Sequence, residues 1–320
     1  MLAILAVTFP FFALVLSGYL ATRWGLLSPS AIPGLNGFVL YFALPCMLFR
    51  FGATTPILRD LTVGMAAVYL GCALAIVAFT VAVTISPRIR WNDAAFGALV
   101  AAFPNTGYMG VPLLVALLGD AAAGPAIATI LIDLIATSSV CIAIAQLGNL
   151  GAQGSTAAAR AALKGMLANP LPWAIVLGVA VYASGLTLPG PAMRTISLLA
   201  DAAPPAALFT IGAVLARSQM ATRDAMPWTE YVPVALVKLV VHPLLVLAIG
   251  WSAIDLGVPL DRFALGVVVL VAALPSASNV AMLAERFGAD NGRIARIILV
   301  STALAFVTFS GAVALLAPAR

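Results

Sequence analysis

Apolar stretches of about twenty residues follow one another along this chain with only short polar intervals between them. That pattern constrains the fold more than any motif. A helix needs about 20 predominantly apolar residues to cross the hydrocarbon of a bilayer, and a soluble domain carries roughly 25% charged residues. Here 63% of the 320 residues are hydrophobic and 8% are charged. Too little polar surface exists to cover a soluble core. The runs are continuous rather than alternating with period two, which argues against a transmembrane barrel. An all-α integral membrane protein is the expected class. Its spans fall near 2–21, 34–51, 61–85, 94–118, 121–147, 170–186, 193–216, 231–251, 262–287 and 291–316. The first stretch has no basic residue before it and Arg23 after it. It therefore reads as a retained helix rather than a signal peptide.

The net charge of +5 comes from single basic residues scattered between apolar runs. No basic stripe is present to bind phosphates, so nucleic acid is not an expected partner. The basic residues report orientation instead. The intervals after the odd-numbered spans hold ten: Arg23, Arg88, Arg90, Arg160, Lys164, Arg217, Arg223, Arg286, Arg293 and Arg296. The other side holds five: Arg50, Arg59, Arg194, Arg262 and Arg320. The positive-inside rule then places both termini outside the cytoplasm and the Gly/Ala/Ser-rich linker 148–169 inside it. All five tryptophans (Trp24, Trp91, Trp173, Trp228, Trp251) fall at or just outside span ends, as an interfacial belt requires. Cys46, Cys72 and Cys141 lie within apolar runs, without metal or redox spacing, and read as packing residues.

The two halves resemble each other. Pro45 to Gly52 and Pro205 to Gly212 both read P-x-x-L-F-x-x-G, offset by 160 residues. Ala101 to Asn105 and Ala272 to Ser276 both read A-A-x-P-[NS], offset by 171. Five spans is an odd number, so the second copy enters the membrane from the opposite side. The expected organisation is a first repeat over 1–147, a cytoplasmic linker over 148–169, and an inverted repeat over 170–320. Inverted repeats are typical of secondary transporters.

Two spans are interrupted. The fourth packs Pro104, Gly107, Gly110 and Pro112 into nine residues, and the ninth carries Pro275-Ser276-Ala277-Ser278-Asn279. Proline removes a backbone donor and clashes with the preceding turn. In lipid, such a break must face protein or a water-filled cavity. A kinked packing helix with Ser and Asn as interhelical glue is one reading. The other is a binding site, in which half-helix starts favour an anion and Asn105, Thr106, Tyr108, Ser276, Ser278 and Asn279 add neutral hydrogen bonds. A site of that kind suits a carboxylate.

The strings P-N-T-G-Y-M-G-V-P-L-L, P-S-A-S-N-V-A-M-L-A-E-R-F-G and L-P-C-M-L-F are similar to those of the auxin efflux carrier family. That family comprises plant auxin exporters and bacterial carriers associated with malonate or malate. The long cytoplasmic loop of the best-known plant exporters is missing from this chain. The resemblance implies ten helices in a five-plus-five inverted repeat, similar to the bile-acid/sodium symporter fold, in a bacterial inner membrane. It implies that broken helices 4 and 9 cross to form the substrate site around Pro104, Asn105, Thr106, Gly107, Tyr108, Pro275, Ser276, Ser278 and Asn279, with Asn105 as the crossover asparagine. It also implies a homodimer scaffold of helices 1, 2, 6 and 7, and an elevator-like motion of helices 3–5 and 8–10.

Ionisable groups inside spans are costly and point to function. Asp133, Asp201, Lys238 and His242 qualify, and Lys238 and His242 share one helix face at a spacing of four. Lys238 reads either as a neutraliser of a substrate carboxylate or as the partner of an aspartate. His242 reads as a titrating or a packing histidine. Asp133 is the preferred proton or cation carrier, with His242 and Asp201 as further coupling candidates. Glu285 and Arg286 read as an interfacial pair. No Walker loop, metal cluster or catalytic triad accompanies them, so neither an enzyme nor a cofactor is expected. The expected partners are a small organic anion, membrane lipids and a second copy, with coupling to H+ or Na+ left open. The alternative is a cation/proton exchanger using Asp133 and Asp201.

Overall fold

A computed structural model describes residues 2–56, 62–147, 169–221 and 226–316. The inferred linker lies outside these residues except for Asn169, as do Arg59, Arg160, Lys164, Arg223 and Arg320 from the orientation count. In chain order the helices are α1 (Leu2–Arg23), α2 (Ile32–Thr54), α3 (Val63–Thr84), α4 (Trp91–Ala102), α5 (Thr106–Leu118), α6 (Asp120–Ala145), α7 (Pro170–Ser184), α8 (Gly190–Ala221), α9 (Val232–Asp255), α10 (Arg262–Ala272), α11 (Asn279–Arg286) and α12 (Asn291–Leu316). Among the described residues, seven helices are long and apolar enough to cross a membrane: α1, α2, α3, α6, α8, α9 and α12. The fourth and ninth apolar stretches each divide into two shorter helices, α4–α5 and α10–α11, and the sixth yields the 15-residue α7.

Four helices contain a turn of π-helix: Val39–Ala43 in α2, Thr106–Gly110 in α5, Asp133–Thr137 in α6 and Val237–Val241 in α9. Such turns shift the hydrogen-bond register by one residue and concentrate at functional sites. All five tryptophans are exposed. Many large apolar side chains are too, among them Phe9, Tyr41, Leu177 and Val307. Exposed apolar surface on this scale fits a lipid environment.

The chain forms two compact units. Among the described residues the first comprises 2–56, 62, 106–128 and 169–221, hence α1, α2, α5, the start of α6, α7 and α8. Its helices approach closely at glycines. A Cβ on Gly18 of α1 would run into the Phe209 carbonyl of α8, and one on Gly212 would run into the Val15 carbonyl of α1. The α2–α7 pair repeats the device: a Cβ on Gly52 would sit 3.1 Å from the Cα of Gly178, and one on Gly178 would meet the Phe49 carbonyl. Small residues let backbones touch where lipid gives no hydrophobic drive for association. Gly52 and Gly212 are the glycines of the repeated P-x-x-L-F-x-x-G motif, and its leucines, Leu48 and Leu208, are fully buried. Arg50 and Asp201 form an ion pair in this unit at 2.7 Å.

Among the described residues the second unit comprises 63–105, 129–147 and 226–316, hence α3, α4, the rest of α6, and α9 to α12. Its core is apolar around α4 and α10, where every residue from Ala94 to Ala102 and from Val267 to Ala272 is buried. Charged and polar side chains are enclosed with them, among them Asp133, Thr137, Lys238, His242, Ser276, Ser301 and Arg293.

Overpacking a close helix contact costs about 1–3 kcal/mol. Gly212→Ala is therefore expected to lower the midpoint of thermal unfolding in detergent, whereas Gly266→Ala, into open space, leaves it unchanged. Equal midpoints for the two variants would contradict this packing.

Candidate functional site

Within the second unit, α4 stops at Ala102 because Pro104 follows. The residue before a proline is pushed out of the helical region, and Phe103 is extended at φ −92°, ψ 104°. Pro275 interrupts the chain in the same way after α10. The two short extended segments run antiparallel, with Pro104 opposite Ser276. Asn105 N–H donates to the Pro275 carbonyl at 2.8 Å, and Ala277 N–H donates to the Phe103 carbonyl at 3.0 Å. Ser276 N–H donates to Ser301 Oγ of α12 at 3.2 Å, and that hydroxyl donates onward to the Ile298 carbonyl at 3.0 Å. Each break thus supplies hydrogen-bond partners that the other lacks. Ser276 Oγ is buried and has no partner among the described residues. Asn105 is 3% exposed, and Ser278 and Asn279, at the start of α11, are half-buried.

The chain enters the first unit at Thr106. Thr106 to Gly110 make the π-turn that opens α5, and Pro112 stands in the first turn of the regular helix that follows. Thr106 Oγ1 is buried and lacks a partner among the described residues. Gly107 is partly exposed. Tyr108 is buried, its hydroxyl 3.5 Å from Asn36 Oδ1 of α2.

The ionisable groups take three different positions. Asp133 opens the π-turn of α6 and accepts from Tyr69 Oη at 2.6 Å and Thr137 Oγ1 at 2.9 Å. Lys238, in the π-turn of α9, donates to the carbonyl of Ala272, the last residue of α10, at 2.6 Å. An ammonium placed there complements the negative end of a half-helix. Lys238 Nζ also lies 3.3 Å from His242 Nδ1. His242 Nε2 is buried without a partner among the described residues. Asp201 belongs to the first unit, where it pairs with Arg50 and its side chain is 67% exposed. Glu285 is exposed.

Tyr69 and Ser301 take part in these networks and were not among the candidates read from the sequence. A lone tyrosine inside the apolar stretch Val63–Thr84 was a usable signal for the first. Ser301 left none, because its partner is a backbone N–H distant in sequence.

The chain matches the family described as "Membrane transport protein" over residues 3–157 and 155–313. It is 29% identical over 314 residues to a Rhizobium meliloti protein named "Putative malonate transporter", covering 97% of this chain and 95% of that one. It is 26% identical over 284 residues to the Escherichia coli "Uncharacterized transporter YfdV", covering 87% and 86%. It is also 31% identical over 123 residues to rice "Auxin efflux carrier component 3a", covering 36% of this chain and 19% of that protein. The family and these relatives are transporters, not enzymes. With the two broken stretches bonded together inside an all-helical apolar chain, the matches lead to one conclusion: this protein is a membrane transporter belonging to the auxin efflux carrier family.

Proposed function

We propose that the protein carries a small organic anion, an auxin-like or dicarboxylic acid, by elevator-type alternating access, with the substrate held where Pro104–Asn105 meets Pro275–Ser276. The observation that carries this reading is the antiparallel pairing of the two breaks around the unpartnered, buried Ser276 hydroxyl. A buried hydroxyl without a partner costs about 1–3 kcal/mol, which a ligand oxygen would recover. Asn105, Ser278 and Asn279 supply further neutral donors, while Thr106, Gly107 and Tyr108 continue the chain beyond the break. Lys238 acts through the Ala272 carbonyl, setting the end of α10 rather than meeting the carboxylate. The name of the Rhizobium relative makes malonate the first acid to try.

The same reading takes the ten apolar stretches as ten helices in a five-plus-five inverted repeat, in a bacterial inner membrane, with both termini outside the cytoplasm. It is supported by the shared role of the motif glycines. Gly52 of α2 abuts α7, and Gly212 of α8 abuts α1, so each copy of the motif packs against a helix of the other half. The division into two compact units supports a moving body and a static one that dimerises. Asp133 is the proposed proton carrier, because Tyr69 and Thr137 hold it in a buried polar network. A cation/proton exchanger using both Asp133 and Asp201 finds less support, since Asp201 is already matched by Arg50.

Proteoliposomes should take up labelled malonate, or whichever carboxylate of a panel most stabilises the protein against heat. Asn105→Ala should reduce uptake at least tenfold, a loss equivalent to about 1.4 kcal/mol of binding. Unchanged uptake across the panel would remove the crossing from the substrate site. Asp133→Asn should abolish acceleration by an inward proton gradient while leaving counterflow exchange intact; a full response to the gradient in that variant would exclude Asp133 as the carrier. A reporter fused after Arg320 should be active only outside the cytoplasm, and cytoplasmic activity would reverse the orientation.

A further inference from the structure

Arg293 is the largest fully buried side chain among the described residues, at 1% exposure. It stands on the first turn of α12, and none of the networks above employs it. Its guanidinium donates from Nε to the Glu230 carbonyl, in the turn before α9, at 2.8 Å. From Nη1 it donates to the Asp93 carbonyl, at the start of α4, also at 2.8 Å. Its own N–H donates to Asp290 Oδ1 at 3.0 Å, and Asp290 N–H donates to Asp93 Oδ1 at 2.8 Å. Asn92 Nδ2 reaches the Phe287 carbonyl, just past α11, at 3.0 Å, and the rings of Phe96 and Phe287 lie 5.9 Å apart. Gly97 of α4 leaves room for the guanidinium: a Cβ there would fall 2.6 Å from Nη1.

These contacts place the start of α4 against the end of α11. The other ends of the same two half-helices meet at the crossing, through Asn105 N–H to Pro275 and Ala277 N–H to Phe103. Thus α4 and α11 lie antiparallel and are tied at both ends. The 12 residues of α4 separate the two ties by about 18 Å. Holding a guanidinium in this buried place is costly unless it is bonded, and Nη2 has no partner among the described residues. Its other bonds join the start of α12 to the start of α4 and to the turn before α9, beside the Asp290–Asp93 and Asn92–Phe287 bonds that tie α4 to the end of α11. We infer that Arg293 is a positioning residue for the crossing, setting from a distance the alignment of Pro104–Asn105 with Pro275–Ser276. Its consequence for transport rests on the crossing being the substrate site; its consequence for the backbone does not.

The test reads the backbone without substrate. Hydrogen–deuterium exchange on the full chain in detergent reports the amides of Asn105, Ser276 and Ala277. Arg293→Met is expected to speed exchange there about tenfold, and Arg293→Lys, which keeps the charge but loses the fork, is expected to fall between it and the parent. Phe309→Leu, a buried change farther along α12, serves as the control for general loosening, compared at equal distance below each variant's unfolding midpoint. It should leave the crossing amides at parental rates. If Arg293→Met does not fold, Gly97→Ala displaces the same guanidinium and should raise the same three amides. Parental exchange at the crossing in the Arg293 or Gly97 variants, or an equal rise in Phe309→Leu, would overturn the inference. Absence of carboxylate transport in the parent would count against the proposed substrate site and leave this result untouched.

Discussion

An unpaired peptide group in hydrocarbon costs several kcal/mol, and this chain interrupts two of its apolar stretches far from any helix end. The rest of the second unit follows from how that problem is met. Each break offers the other a carbonyl and an N–H, so that Phe103 to Asn105 and Pro275 to Ala277 bond as a minimal antiparallel pair. Ser301 takes up the N–H left over. Lys238 caps the carbonyl of Ala272, where α10 ends. Among the buried side chains of the crossing, the Ser276 hydroxyl is left without a partner among the described residues. Discontinuous helices that meet near the midplane are a recurring feature of secondary transporters.

The first unit solves a different problem. Helices surrounded by lipid gain nothing from burying leucine, so they associate by close approach. Gly18 with Gly212, and Gly52 with Gly178, bring backbones into contact along α1–α8 and α2–α7. The second unit instead encloses polar groups: the Tyr69–Asp133–Thr137 network, the Lys238–His242 pair and the Arg293 knot. Polar networks of this kind stiffen a body only when their members are satisfied. The buried side-chain atoms of this unit without a partner among the described residues are Ser276 Oγ, His242 Nε2, Thr80 Oγ1, Asn291 Oδ1 and Arg293 Nη2, and of these only Ser276 Oγ lies at the crossing.

Apolar length, the prolines that divide the fourth and ninth stretches, and the buried Asp133, Lys238 and His242 were legible in the sequence, because each depends on local composition. The buried Arg293 was not, since it stands at the start of α12, where it reads as part of an interval between spans. The meaning of the repeated P-x-x-L-F-x-x-G motif was only half legible. Its recurrence could be read, but that its glycine serves close packing depends on a partner helix far along the chain. Lys238 was open between a substrate carboxylate and an aspartate. The carbonyl it holds belongs to Ala272, and backbone partners leave no trace in side-chain patterns. The π-turns at Asp133 and Lys238 were invisible for a similar reason, since a one-residue shift in hydrogen bonding alters no composition. Asp201 was grouped with the interior charges because it lies within an apolar stretch; its pairing with Arg50 on an exposed face is a tertiary fact.

The most direct measurement is an electron cryomicroscopy structure of the protein saturated with the carboxylate that stabilises it most. Ligand density within hydrogen-bond distance of Ser276 Oγ and the Asn105 amide, with the Asn105–Pro275 and Ala277–Phe103 bonds retained, is the expected result. A carboxylate bound elsewhere, with the crossing unchanged and Ser276 still unpartnered, would contradict it.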